Sequence, residues 1–197
     1  MRLTLMAAIL ASGLMIWSHA ADAHPHVFVD NRLTFILVDG KIAGFRTDWR
    51  FDEIFTEDLL SQFDADGDKQ FSKSESTEVR DNTLPNLGAF RYFTYIYLNQ
   101  RDIGEMAPSD FIADVVDGAV RFQLTYNMPK PIDPLKDQLA VSIYDREYYV
   151  EVLLSEKEAP KLEGIGADAC TAQVSDDQTH AFFGGFVVPQ LVTLSCR

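Results

Sequence analysis

Two hydrophobic periods alternate along this chain. Residues 27–38 are rich in β-branched and aromatic types, and after Asp39-Gly40 a second such run occupies 41–50. Asp-Gly between two extended runs predicts a β-hairpin, because a type I′ turn needs positive φ at both central positions. Phe51, Ile54, Phe55, Leu59 and Phe63 then recur every three to four residues, the spacing of one helix face. Asp52 and Glu53 stand at its front, where negative charge suits the helix dipole. An acidic loop covers 64–75. A second helix is expected from about Ser72 towards Gly88, ended or kinked by Pro85, which has no amide hydrogen and crowds the preceding turn.

From Tyr92 the period returns to two. Residues 92–98, 111–116, 119–126, 139–144 and 148–154 read as strands, with Asp117-Gly118 marking a second hairpin. Pro129, Pro131 and Pro134 make 128–135 a rigid loop, and 156–167 is a charged connection. Runs at 170–174 and 186–194 close the chain, with Pro189 placing the latter at an edge or bulge. The pattern predicts an α+β fold, mainly antiparallel β (sheet or sandwich). A helix–loop–helix insertion at about 52–90 lies between its second and third strands.

The start of the chain has a different character. Met1-Arg2 precedes an apolar run over 3–17, and Ala21-Asp22-Ala23 offers a small-x-small cleavage pattern. The run is shorter than the roughly 20 residues of a spanning helix. Residues 1–23 therefore read as a signal peptide cut after Ala23, or alternatively after Ala20, leaving 24–197 as a single periplasmic domain not inserted in the membrane. Export to an oxidising compartment turns the two cysteines, Cys170 and Cys196, into an expected disulfide that ties the last strand to the body of the domain. The alternative is a pair of buried thiols. Hydrophobic residues make up 47%, enough for a core, and 17 Lys+Arg against 30 Asp+Glu give a net charge of −13. With no basic run longer than two residues, nucleic acid is excluded as a partner, and an anionic membrane surface is disfavoured.

The strongest chemical pattern is the loop Asp-Ala-Asp-Gly-Asp-Lys-Gln-Phe-Ser-Lys-Ser-Glu over 64–75. It matches the twelve-residue calcium loop of an EF-hand. Asp64, Asp66 and Asp68 fall at positions 1, 3 and 5, Gln70 offers its carbonyl at 7, Ser72 stands at 9 and Glu75 is the bidentate ligand at 12. Phe71 is the apolar residue that packs on the body. Calcium seeks six to eight oxygens, and alternate residues of a tight loop aim carboxylates inward. Position 6, normally Gly, is Lys69, and a left-handed lysine costs roughly 1–2 kcal/mol. A single loop of this kind points to a structural site with dissociation constants of order 10⁻⁴–10⁻³ M.

Cleavage after Ala23 would leave His24-Pro25-His26 at the new terminus. On a strand the two rings share one face with Phe28 and Asp30. Imidazole suits zinc, copper, nickel and iron. Pro25 blocks ligation through a deprotonated amide at that position. His180, after Asp176-Asp177-Gln178-Thr179, is the histidine that could complete a three-nitrogen set, and Asp30 is a possible oxygen ligand. The bland alternative is a pair of solvated histidines at a frayed end. Nothing resembling HExxH, CxxC, a Walker loop or a Gly-x-Ser-x-Gly elbow occurs. Gly184-Gly185 reads as a turn, Asp52 and Glu53 as helix-start residues, and Trp49 and Phe51 as core.

His24-Pro25-His26-Val27-Phe28-Val29-Asp30, then Trp49-Arg50-Phe51-Asp52-Glu53 with the 64–75 loop, then Phe90-Arg91-Tyr92-Phe93, resemble successive blocks of the domain of unknown function 1007 family. The resemblance implies an exported protein, often labelled a periplasmic component of an ABC-type transport system and commonly encoded beside nickel/cobalt-type efflux permeases. It thereby suggests an inner-membrane metal permease as partner. The expected function is a non-catalytic periplasmic accessory that binds nickel, cobalt, zinc or copper near His24 and His26, with Ca2+ ordering the helical insert. Alternatives are a solute-binding component of an ABC transporter, a calcium-stabilised interaction module, and a copper oxidase with a histidine brace. The first is disfavoured by the short length and the lack of βαβ alternation. The last requires cleavage just before His24.

Overall fold

The computed structural model describes residues 25–197, so the expected signal peptide over 1–23 and His24 lie outside the described residues. The fold is α+β and rich in antiparallel strands. Strands β1 (Val27–Val38) and β2 (Lys41–Phe51) form the expected hairpin, with Asp39 at φ 50° and Gly40 at φ 73°. Helices α1 (Glu53–Phe63) and α2 (Lys73–Gly88) follow as one excursion. The chain then runs through β3 (Thr94–Leu98), the short β4 (Arg101–Asp102), β5 (Asp110–Val116) and β6 (Ala119–Ile132). It ends with β7 (Leu139–Ile143), β8 (Val150–Leu154), β9 (Lys161–Gly164), β10 (Cys170–Asp176) and β11 (Gln190–Cys196).

The strands make two sheets. One has the order β5-β6-β2-β1-β8, with β9 also on β1, and the other has the order β10-β11-β7-β3-β4. Alternation decides which face of each strand is buried. Leu33, Phe35, Phe45, Trp49, Phe122 and Leu124 of the first sheet share one core with Ile96, Leu139, Val141, Val192 and Leu194 of the second. Trp49 packs on Phe93 at 5.8 Å between ring centroids, and the Thr94 hydroxyl meets Tyr126 Oη at 3.1 Å. The buried Asn31 and Thr47 side chains hydrogen-bond to each other within this core. The opposite face of β1 and β2 carries Arg32, Arg46, Asp48 and Arg50, joined by ion pairs to Glu158, Glu163 and Asp117.

Several expectations need correction. Both β8 and β9 pair with β1 in parallel, so the sheet is mixed, and β9 lies inside the stretch expected to be a charged connection. Residues 128–132 extend β6 rather than forming a loop. Pro129 and Pro131 sit where the β2 pairing jumps from Gly44↔Asn127 to Ile42↔Ile132, so no ladder bond needs their missing N–H, and Pro134 lies in the turn that follows. Gly44 is required there, since a Cβ would stand 2.1 Å from the Tyr126 carbonyl oxygen. Helix α2 reaches Gly88 as expected, and Pro85 lies inside it rather than ending it. The proline leaves the residue 81 carbonyl without its helical donor and crowds that turn, a cost confined to the last turn of the helix. Phe51 belongs to β2, and Ile54 is 83% exposed, so the apolar stripe of α1 is carried by Phe55, Leu59, Leu60 and Phe63. Cys170 and Cys196 are bridged, but they face each other across the last two strands, so the bond joins β10 to β11 rather than to the body. Among the described residues no helix is long and apolar enough to cross a membrane.

Candidate functional site

The acidic loop is held between α1 and α2 by its own carboxylates. Asp64 accepts from the N–H groups of Gly67 (2.8 Å) and Lys69 (2.9 Å), and Asp68 accepts from Gln70 N–H at 2.8 Å. These Asx-type bonds curl the chain so that ligand oxygens of Asp64, Asp66 and Asp68 all lie within 4.8 Å of one another. Lys69 sits at φ 60°, in the left-handed conformation that the pattern reserves for glycine. Ser72 caps α2, and Glu75 closes a capping box, its two oxygens accepting from Ser72 N–H and Ala65 N–H at 2.8 and 2.7 Å. Glu75 is thus tied to both ends of the loop and is 6% exposed. Phe71 packs against the common core, as its position suggests.

The charges in the loop are uneven. The Ser72 side chain, then the Ser72 and Ala65 amides, hold the Glu75 carboxyl below the usual range. Asp66 is pushed the other way. The Asp68 N–H lowers it, but the combined charges of Asp68, Glu75 and Asp64 together with partial burial leave it above its ordinary value. Hard carboxylate oxygens crowded in this way suit a hard cation such as calcium in type, while Glu75 stands outside the converging group, its two oxygens turned to the Ser72 and Ala65 N–H groups.

The helices are fastened to the first sheet by side chains. Thr56, 1% exposed, accepts from Val120 N–H, and Ser76 accepts from Ala113 N–H on the edge strand β5. Asp52 caps α1 through Phe55 N–H (3.0 Å) and also accepts from Phe28 N–H at 2.8 Å, linking the helix to the start of β1.

The histidines do not assemble. His26 lies at the bend before β1, its N–H on the Tyr149 carbonyl and its ring 4.9 Å from the Tyr149 ring. The buried Asp145 fixes that turn by accepting from the amides of Glu147, Tyr149 and Val150. His180 sits instead over the second sheet. Its ring is 5.1 Å from Tyr97, and its Nδ1 is 2.7 Å from Oδ2 of the buried Asp177. Among the described residues, the acidic triad is the group of three His, Cys, Asp or Glu side chains close enough to share an ion, and neither His26 nor His180 belongs to such a group. Asp30, on the outer face of β1, joins none either.

Sequence reasoning passed over Asp145, Asp177, Tyr97 and Tyr149. For Asp177 the signal was its spacing three residues before His180. For Asp145 it was the run of amides two to five residues on, which its carboxylate accepts, whereas Tyr97 and Tyr149 meet the histidines only in the folded chain. Burial, then the neighbouring Tyr144, raises the Tyr97 phenol above its ordinary range, so its hydroxyl stays protonated. Two hollows complete the picture. An apolar trough of about 420 Å3 is lined by Phe28, Phe51, Asp52 and Leu153, and a cavity of about 330 Å3 adjoins His180.

Residues 9–181 match a family model described as protein of unknown function (DUF1007). An uncharacterised protein of Haemophilus influenzae is 26% identical over 152 residues, 76% of this chain and 71% of the relative. A second relative, the "Uncharacterized 15.5 kDa protein in trpE 3'region" of Spirochaeta aurantia, is 22% identical over 131 residues, 66% of this chain and 93% of the relative. The match to the family model runs from before β1 to beyond β10 and includes both helices and the acidic loop, so the chain belongs to the DUF1007 family.

Proposed function

We propose that this protein is an exported, non-catalytic metal-handling accessory of a membrane transport system, with calcium in the 64–75 loop ordering its helical insert. The observation that carries the calcium part is the convergence of Asp64, Asp66 and Asp68 in a loop closed by Glu75. Asp64, Asp66, Asp68, the Gln70 carbonyl, Ser72 and Glu75 would hold the ion. Bound there, calcium would neutralise the crowding that raises Asp66 and lock the angle between α1 and α2. The transport context comes from the family resemblance. The transition-metal part rests on His24 and His26 as nitrogen donors for nickel, cobalt, zinc or copper at the processed terminus. The Cys170–Cys196 bridge fits an oxidising compartment such as the periplasm.

Calorimetric titration with calcium tests the first part. The wild type should bind with a dissociation constant of order 10⁻⁴–10⁻³ M. Glu75→Gln and the double variant Asp64→Asn/Asp66→Asn should each bind at least about tenfold more weakly. Equal heats from wild type and double variant would remove the reading. A second reading, a calcium-stabilised interaction module with no transition-metal role, is favoured by the separate seating of His26 on Tyr149 and His180 on Tyr97. Transporter function that survives His24→Ala/His26→Ala would favour it.

A further inference from the structure

His180 has the geometry of an oriented nitrogen donor. Asp177 is buried, its own N–H is bonded to the Pro189 carbonyl, and its carboxylate stands 2.7 Å from His180 Nδ1. A carboxylate accepts and does not donate, so the neutral ring carries its hydrogen on Nδ1 and leaves a lone pair on Nε2. A carboxylate behind an imidazole in this way sets the tautomer and raises the basicity of a metal-ligating histidine. The ring lies against Tyr97, which fixes its plane, and no described residue bonds to Nε2.

Beside the ring is the cavity of about 330 Å3. Its polar lining is neutral apart from Asp177 and is made of Tyr97, Gln100, Gln138, Thr179 and Thr193. That volume falls at the lower end of the roughly 300–1,000 Å3 of small-molecule sites and exceeds what a bare ion needs. No second His, Cys, Asp or Glu joins His180 and Asp177 in a shared group among the described residues. A transition ion there would take one nitrogen from the protein and fill its other positions from elsewhere.

We infer that the Asp177–His180 cavity binds a transition metal already held by a small chelator, with His180 Nε2 supplying one ligand and the amide and hydroxyl lining receiving the chelator's carboxylate and amine groups. This rests on the metal-handling reading and refines it, since the cargo would be a chelate rather than a free ion.

The test uses the full processed protein and two probes, nickel(II) alone and nickel(II) with one equivalent of free L-histidine. Binding is followed by calorimetry and by the nickel absorption bands, with the unfolding midpoint recorded for every variant. The wild type should bind the complex more tightly than the bare ion. His180→Ala should lose at least about tenfold in affinity for the complex while still unfolding in a single cooperative transition. Asp177→Asn, which keeps the imidazole but removes the carboxylate behind it, should lose roughly 10–100-fold. His24→Ala/His26→Ala should bind the complex as the wild type does. Wild-type affinity for the complex in His180→Ala overturns the inference, as does the absence of complex binding in the wild type. Bare nickel that binds only when His24 and His26 are present, with no binding of the complex, overturns this inference and leaves the metal-handling reading standing.

Discussion

Asp66 shows how a single residue reports the state of the loop. Its carboxyl is raised above 3.8 because Asp68, Glu75 and Asp64 crowd it, while Glu75 is lowered by the Ser72 and Ala65 hydrogen bonds. The signs are opposite. A raised Asp66 binds more protons folded than unfolded, so its ionisation lowers stability, and the calcium-free protein regains that stability as pH falls through the raised value. Glu75 contributes stability above its unfolded value that is lost as pH falls through its lowered one. Calcium requires both groups ionised. The calcium-induced rise in unfolding temperature should therefore shrink as the solution is acidified from about pH 7 towards about pH 4, where protons compete for Asp66. Asp66→Asn should abolish most of that calcium response and remove the Asp66 part of the calcium-free pH dependence. Differential scanning calorimetry at a series of pH values, with calcium and with chelator, checks both. An Asp66→Asn protein with the full wild-type calcium response would show that the ion is held without this residue.

At the scale of elements, Asp52 decides how the helical insert meets the sheet. It caps α1 and also takes the Phe28 N–H, so one carboxylate serves two elements. Asp52→Ala should cost about 1–2 kcal/mol, the usual cap loss with the second bond added, whereas Asp52→Asn should keep much of it. Urea titrations of the three proteins give the comparison, and equal midpoints would show the cap to be idle. The helix-start role of Asp52 was readable from its place before an apolar run, and its bond to Phe28 was not, because that contact exists only once β1 and β2 have paired. The same division holds elsewhere. Asp39-Gly40 and Asp117-Gly118 announced their hairpins through local turn chemistry, and Asp64 to Glu75 announced the loop through side-chain spacing. Strand β9 and the far end of β6 escaped because Lys161–Gly164 carries no alternating apolar pattern and Pro129 and Pro131 argue locally for a loop. Partner strands override both, one through parallel pairing with β1 and the other through a shift in register against β2. Asp177 and His180 are near in sequence, but the cavity that gives them a use is built by β3, β7 and β11.

Across the whole molecule, the acidic loop and the His180 cavity depend on different sheets. The loop hangs from α1 and α2, which fasten to β5 and β6 of the first sheet. His180 lies in the connection from β10 to β11, the two strands the disulfide joins across 26 residues. The covalent loop therefore encloses Asp177 and His180 and excludes every residue of the calcium pattern. In the chain-entropy model a bridge of this span stabilises by about 3.5 kcal/mol, chiefly by restricting the unfolded chain. Cys170→Ser/Cys196→Ser should lower the unfolding temperature by about 10 °C, given roughly 2–4 °C per kcal/mol at this chain length. Because the hydrogen bonds that close the loop lie within 64–75 and the bridge lies between β10 and β11, the calcium-induced increment in unfolding temperature should persist nearly unchanged in the double variant. Thermal unfolding of both proteins with and without calcium separates the two effects. A calcium increment lost together with the bridge would mean that the sheets communicate through their common core, and the loop could then no longer be treated as a local device for ordering the helices.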